Sequence, residues 1–280
     1  MVRHVSPGVR FMPFQRFLLI AATFLAEGPA LASSFDLFPV VDFTGSGLTA
    51  AQQTAATHDL MAAAAFWTRN ITGYAVTDPG LQGITVPVGF APVDGLQNTL
   101  AYTFDDLVYM PASNGLTYAY RQPVIFDSAD VAGLLATGSF LSVAVHEFAH
   151  AIGFGLQWLT NGLYAPGSGQ YVGPAALAMY RAEFDPTATF VPVEVESHRL
   201  GTDDYHWAEY WAGGAHELMT GFIDPPLFVS DTTLFAFRDL GYTTLAHVSG
   251  WATAQVPLPP AAPLLAGGLA ALAVIRRRAA

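Results

Sequence analysis

The segment 140-FLSVAVHEFAHAIG-153 constrains this chain more than any other. Apart from Ser142, His146, Glu147 and His150 it is built of apolar residues and the closing glycine. Such a run predicts a buried helix ended by Gly153, because glycine tolerates the backbone angles that let a chain turn sharply away. Histidines four apart on a helix are offset by about 40° around the axis and about 6 Å along it. His146 and His150 can therefore reach one ion at the roughly 2.0–2.1 Å that zinc prefers. Glu147, one residue along, points beside such an ion, where it can take a proton from an attacking water whose pKa the metal has lowered to about 7. Two histidines and a glutamate are costly to bury without a metal or partners.

A catalytic zinc normally takes three protein ligands. The common short spacing would place a third histidine at position 156, and this chain has Leu156 there. His58 and His247 are expected at the surface. His198, His206 and His216 remain, together with the carboxylates Glu183, Glu194 and Glu196. The residues alone leave two arrangements open: a histidine third ligand, with His198 the rival to His206, or a carboxylate such as Glu183 or Glu194.

Composition narrows the function classes. With no cysteine, the chain has no disulfides, thiolate ligands or cysteine nucleophiles. There is no lysine, and residues 33–256 hold five arginines against twenty-one carboxylates, a net charge of about −16. A body this acidic is a poor binder of nucleic acid or of an anionic membrane surface.

The two ends carry a different signal. Arg3, Arg10 and Arg16 precede the apolar run 17-FLLIAATFLA-26 and the small-residue site 30-ALA-32, the order of a secretory signal peptide, so residues 1–32 are read as cleaved and the mature chain as starting at Ser33. At the other end Val256–Ile275 is uncharged and meets Arg276, Arg277 and Arg278. About 20 residues of helix match about 30 Å of hydrocarbon, and the arginines would stay on the cytoplasmic side. This 256–280 tail resembles the C-terminal sorting signals of the PEP-CTERM type in the variant opening VPLPA, here VPLPP. The resemblance implies transient membrane association, cleavage by a processing protease near Val256, and release or attachment at the cell surface; a permanent anchor is the competing reading. The working body, residues 33–255, would act outside the cytoplasm, at the surface, in the periplasm or beyond the cell.

Between the ends no repeat or linker interrupts one domain. An alanine-rich stretch predicts a long helix over 50–70, with Leu60, Ala64 and Trp67 at helical spacing. The runs 84-ITVPVGF-90, 100-LAYTF-104 and 117-TYAYRQPVIF-126 predict strands punctuated by turn residues. Residues 154–205 read as mostly irregular with a short helix at 175–183, and a last helix starts at Ser230 or Asp231 and runs to Leu240, with Gly241 behind it. The fold class is α+β: a long helix, a small mixed sheet and the 140–153 helix first, then a mostly irregular C-terminal part closed by a helix.

Further motifs make the pattern specific. The segment 201-GTDDYHWAEYWAGGAHELMTGF-222 carries His206-Trp207 and then 217-ELMTG-221, and 232-TTLFAFRDLGY-242 closes the body. With 66-FWTRNIT-72 and 171-YVGPAALAMYR-181, the chain resembles a metzincin zinc protease of the leishmanolysin-like group in its bacterial exported form, over most of residues 60–243. In that group a long segment separates the His-Glu-x-x-His-x-x-Gly start, here His146 to Gly153, from the third histidine. The resemblance implies one catalytic Zn2+ on His146, His150 and His206, Glu147 as general base, and Met219 in a turn forming an apolar floor beneath the metal. It implies an endopeptidase acting on protein or peptide substrates. Of the strand runs before the 140–153 helix, 100-LAYTF-104 is read from the sequence as the edge that could pair with extended substrate. The chain departs from the group in lacking cysteine, and from some metzincins in having no tyrosine two residues after Met219; Phe222 lies three on. The alternatives are a gluzincin-type hydrolase with a glutamate third ligand, and a non-catalytic zinc-containing surface or matrix protein.

Overall fold

The computed structural model describes residues 35–104, 108–197 and 201–250. The signal and tail segments and His198 lie outside them. The chain runs β1 (Leu37–Val41), α1 (Ala50–Asn70), β2 (Ile71–Tyr74), β3 (Ile84–Ala91), β4 (Ala101–Thr103), β5 (Val108–Pro111), β6 (Thr117–Arg121), β7 (Val124–Asp127), α2 (Val131–Thr137), α3 (Phe140–Ile152), β8 (Gln170–Tyr171), α4 (Pro174–Glu183), β9 (Val191–Pro192), α5 (Asp231–Asp239) and β10 (Tyr242–Thr244). This is the mixed α+β architecture that the alternation of apolar patterns predicts.

The main sheet is built around β3. On one side β1 pairs with it in parallel, Leu37 opposite Ile84. On the other side β6 and β7 lie end to end along it, Arg121 opposite Thr85 and Val124 opposite Val88, both parallel. The single run expected over 117–126 is thus two strands forming one rail. Pro123, which has no N–H to give a ladder, breaks it, while the N–H of Gln122 still reaches the Thr85 carbonyl at 3.1 Å. The outer rail is antiparallel: β4 pairs with β7 and β5 with β6. β4 and β5 therefore form an edge, as the 100–104 run was expected to do. The short strands β2, β5, β8, β9 and β10 escape the sequence pattern, as do β1 and α2. β1 carries Pro39, and its side chains Phe38 and Val40 stay exposed, as suits an edge strand. α2 is only seven residues long and contains Gly133, too short for a clear helical period.

α1 starts where Thr49 and Gln52 cap each other reciprocally. Its buried face, including Leu60, Ala64 and Trp67, packs on α3. Trp67 is fully buried and donates its indole N–H to the Val145 carbonyl at 2.8 Å, one residue before His146. It also packs edge-on against Phe237 of α5. α3 is buried on nearly every face, which its almost continuous apolar sequence requires. α5 is capped by Ser230, whose hydroxyl accepts from the Thr233 N–H, and by Glu183, whose carboxylate accepts from the N–H groups of Asp231 and Thr232. After α5, β10 returns to pair with β2, and the Tyr242 hydroxyl donates to the Ile152 carbonyl at 3.0 Å. The closing helix is thereby tied to the end of α3. Among the described residues no single helix is long and apolar enough to cross a membrane.

Candidate metal centre

His146 and His150 project from one side of α3 as their spacing predicts, and Gly153 ends the helix with φ +124. A side chain at 153 would also collide with Gln157, whose Oε1 lies 2.3 Å from where a Cβ would stand. The chain then turns away, and after 56 residues brings His206 back to the pair. The three Nε2 atoms stand 3.0, 3.0 and 3.1 Å apart. All three residues are buried. Among the described residues no other three histidine, aspartate or glutamate side chains bring ligand atoms together in this way.

The far side of each ring fixes what those nitrogens carry. His146 Nδ1 is 2.7 Å from the Leu218 carbonyl, His150 Nδ1 is 3.0 Å from that of Phe154, and His206 Nδ1 is 2.9 Å from that of Thr202. A carbonyl only accepts, so each Nδ1 bears the proton and each neutral ring turns a lone pair inward at Nε2. Burial keeps the rings neutral. It pulls His146 down to about 3, helped by neighbouring His206, and His206 down to about 4, while His150 falls well below the ordinary histidine value. Three lone pairs converging without a proton between them repel unless a cation sits among them. Ligands on a tetrahedral ion at 2.0–2.1 Å stand about 3.3–3.4 Å apart, close to the separations here. The residues fit a metal cation, each imidazole held in tautomer and orientation by a backbone carbonyl.

Glu147 is buried beside the triad, and burial raises its carboxyl to about 7. The Thr103 hydroxyl works in the opposite direction: it lies 2.9 Å from Glu147 Oε2 and 3.1 Å from the Glu147 carbonyl. Thr103 is the last residue of β4, so the sheet edge meets the carboxylate directly. Nothing in the 100–104 run marks Thr103 in sequence, because its partner is 44 residues away.

His206 is positioned by its neighbour Trp207 and by the 217–221 turn. Trp207 is fully buried in an aromatic cluster, stacked on Trp158 at 4.9 Å and edge-on to Phe154 at 5.0 Å. Such contacts are each worth about 0.5–1.5 kcal/mol beyond the area they bury. Its backbone N–H donates to the Met219 carbonyl, and its indole N–H to the Thr233 hydroxyl. Met219 is fully buried. It sits next to Leu218, whose carbonyl holds His146, so the turn supports the triad through its backbone.

One carboxylate organises that turn. Glu217 is fully buried and accepts from the Met219 N–H at 2.6 Å, the Ser230 N–H and hydroxyl at 2.9 Å each, and the Thr233 hydroxyl at 2.6 Å. Burial pushes it up to about 7 even against those donors. It connects the carbonyl support of His146 with Thr233, which holds Trp207 beside His206. The sequence signal was available only as the residue two before Met219.

Among the described residues the rival ligands stand apart from the triad. Glu183 caps α5. Glu194 is buried and folds its own loop, accepting from the N–H groups of Val195, Glu196 and Glu209. Glu196 is exposed. His216 is half exposed and bonded to the Asp224 carbonyl. His58 and His247 lie at the surface, paired with Asp59 and Asp231. Comparison with protein-family models and with curated proteins gave no match for this chain.

Proposed function

We propose that the chain is an exported zinc-dependent endopeptidase of the leishmanolysin-like metzincin type. The observation that carries this reading is the pairing of a convergent, proton-free histidine triad with a buried glutamate that the triad does not need as a ligand. A site built only for structural metal has no use for a free carboxylate at that point.

His146, His150 and His206 would hold the ion, which when bound supplies a Lewis acid for the peptide carbonyl and acidifies water. Glu147 takes the proton of the attacking water and delivers it to the departing amine as the C–N bond breaks. The Thr103 hydroxyl steadies Glu147 in the ionised state that this role requires. The β4 edge offers unpaired backbone groups to an extended peptide, so main-chain hydrogen bonds can hold a substrate across the triad. The engagement of Glu183 and Glu194 elsewhere favours the histidine set over a gluzincin-type set. The signal-like N-terminus and the sorting-type tail fit an enzyme carried out of the cytoplasm and held briefly at the membrane.

The decisive comparison is wild type against Glu147→Gln. Both should retain one zinc per chain, and only wild type should cut denatured protein or a peptide library. Equal cleavage by the two would exclude Glu147 as the base. A zinc-loaded wild type that cuts nothing would favour a non-catalytic surface protein, and unchanged zinc content in His206→Ala would reinstate a carboxylate ligand.

A further inference from the structure

A pocket of about 240 Å³ is walled by Tyr109, Leu156, Leu159, Tyr164, Asp204 and Tyr205. It is smaller than the roughly 300–1,000 Å³ of sites that take drug-sized ligands, a volume suited to one side chain. Its walls belong to the segments that hold the metal ligands. Leu156 comes two residues after Phe154, whose carbonyl orients His150, and Asp204 and Tyr205 lie between Thr202, whose carbonyl orients His206, and His206 itself. The segments meet at Gly155, where a Cβ would stand 2.4 Å from the Tyr205 carbonyl and φ is +71. Tyr109 belongs to β5, on the outer rail that also contains β4 and Thr103.

The pocket has a definite chemistry. Asp204 has φ +72, a left-handed conformation that aspartate and asparagine tolerate better than most residues. Its Oδ1 accepts from the Tyr164 hydroxyl and, at 2.8 Å, from the Gly167 N–H. Its Oδ2 takes no hydrogen bond among the described residues. A carboxylate held by one oxygen, in a pocket that three tyrosines help to line, suits a cationic side chain, through charge-assisted hydrogen bonding and cation–π attraction. The acidic body favours the approach of such a substrate.

We infer that this pocket is a substrate subsite for a lysine or arginine side chain on the N-terminal side of the scissile bond. The inference rests on the peptidase reading. The side is set by strand direction: a peptide pairing antiparallel with the outer rail places its N-terminal residues towards Tyr109 and its scissile bond near Thr103.

The test is a binding measurement on the zinc-loaded, full-length Glu147→Gln protein, so it does not depend on cleavage. A single arginine is scanned through an otherwise neutral fluorescent peptide and affinity is read by anisotropy. One position should bind about tenfold or more tighter with arginine than with norleucine, the scale of a charge-assisted contact. That ratio should fall to near one when Asp204→Asn, which keeps an acceptor for Tyr164 and Gly167, is added. Leu159→Arg, a cation introduced at an exposed wall position, should do the same and decides the matter if the first variant does not fold. The inference is overturned if no position prefers arginine, if the ratio survives in a folded variant, or if the preferred position lies C-terminal to the bond that wild type cuts. A wild type that binds arginine selectively through Asp204 but cuts nothing would refute the peptidase reading, and with it the placement against a scissile bond, and leave only a cation-binding pocket.

Discussion

Thr103→Val replaces one hydroxyl by a methyl of nearly the same shape, at the point where the sheet edge touches Glu147. In the native site that hydroxyl lies 2.9 Å from Glu147 Oε2 and holds the carboxyl below where burial alone would put it, near 7. A hydrogen bond to a charged group contributes about 1.5–3 kcal/mol, and one pKa unit corresponds to about 1.36 kcal/mol. Removing the hydroxyl should therefore raise the Glu147 pKa by about one to two units. A metal ion beside the carboxylate shifts both proteins alike, so the difference between them survives loading. The sign is fixed by the role: a general base must be ionised, so the acid limb of the kcat/KM profile should move to higher pH by that amount. For a base titrating near 7, activity at pH 7 should drop about 5- to 50-fold and recover towards pH 9. Thr103→Ser, which keeps the hydroxyl, should restore the wild-type limb. The assay is a pH–rate profile on a fluorogenic peptide, with zinc content measured at each pH. An acid limb that stays in place in Thr103→Val, whatever the absolute rate, would refute this role and show that the hydroxyl serves the Glu147 carbonyl at 3.1 Å instead.

Three further outcomes are expected. Glu217→Gln puts an amide nitrogen where Oε2 meets the Met219 N–H at 2.6 Å, opposing donor to donor; metal affinity measured by chelator competition should weaken about 10- to 100-fold, the usual cost of disturbing outer-shell support, and an unchanged affinity would mean that the turn holds without it. Because burial lowers His146 to about 3 and His206 to about 4, protons compete weakly for the ligands. Zinc affinity should fall less than about tenfold from pH 7 to pH 5, whereas three histidines at the ordinary value would lose about 10⁴-fold; a loss near the larger figure would contradict the burial argument. Gly155→Ala forces a Cβ to within 2.4 Å of the Tyr205 carbonyl at a φ of +71, so chemical denaturation should show at least about 1–3 kcal/mol of destabilisation; a neutral substitution would mean that the two loops separate freely.

The local chemistry of this protein was legible in its sequence wherever it rests on neighbours along the chain. The spacing of His146, Glu147 and His150, the stop at Gly153, the long α1 and the Ser230 cap of α5 depend on helical period and on backbone freedom, and both are written in consecutive residues. The likeness to a long-insertion metzincin pointed to His206, yet residue types alone left His198, Glu183 and Glu194 as competitors. Tertiary structure brought His206 to the other two histidines and engaged Glu183 and Glu194 in capping and loop bonds. It also decided the parts that no pattern encodes: the carbonyls of Leu218, Phe154 and Thr202 that set the imidazole tautomers, Thr103 on Glu147, and Glu217 beneath the turn. Thr103 and Leu218 act across 44 and 72 residues of sequence, Phe154 and Thr202 only four residues from the rings they hold, and several of these contacts are made by backbone atoms that every residue possesses. Period and propensity act over a few residues, whereas the hydrogen bonds that orient a buried ring form only after the core has closed around it.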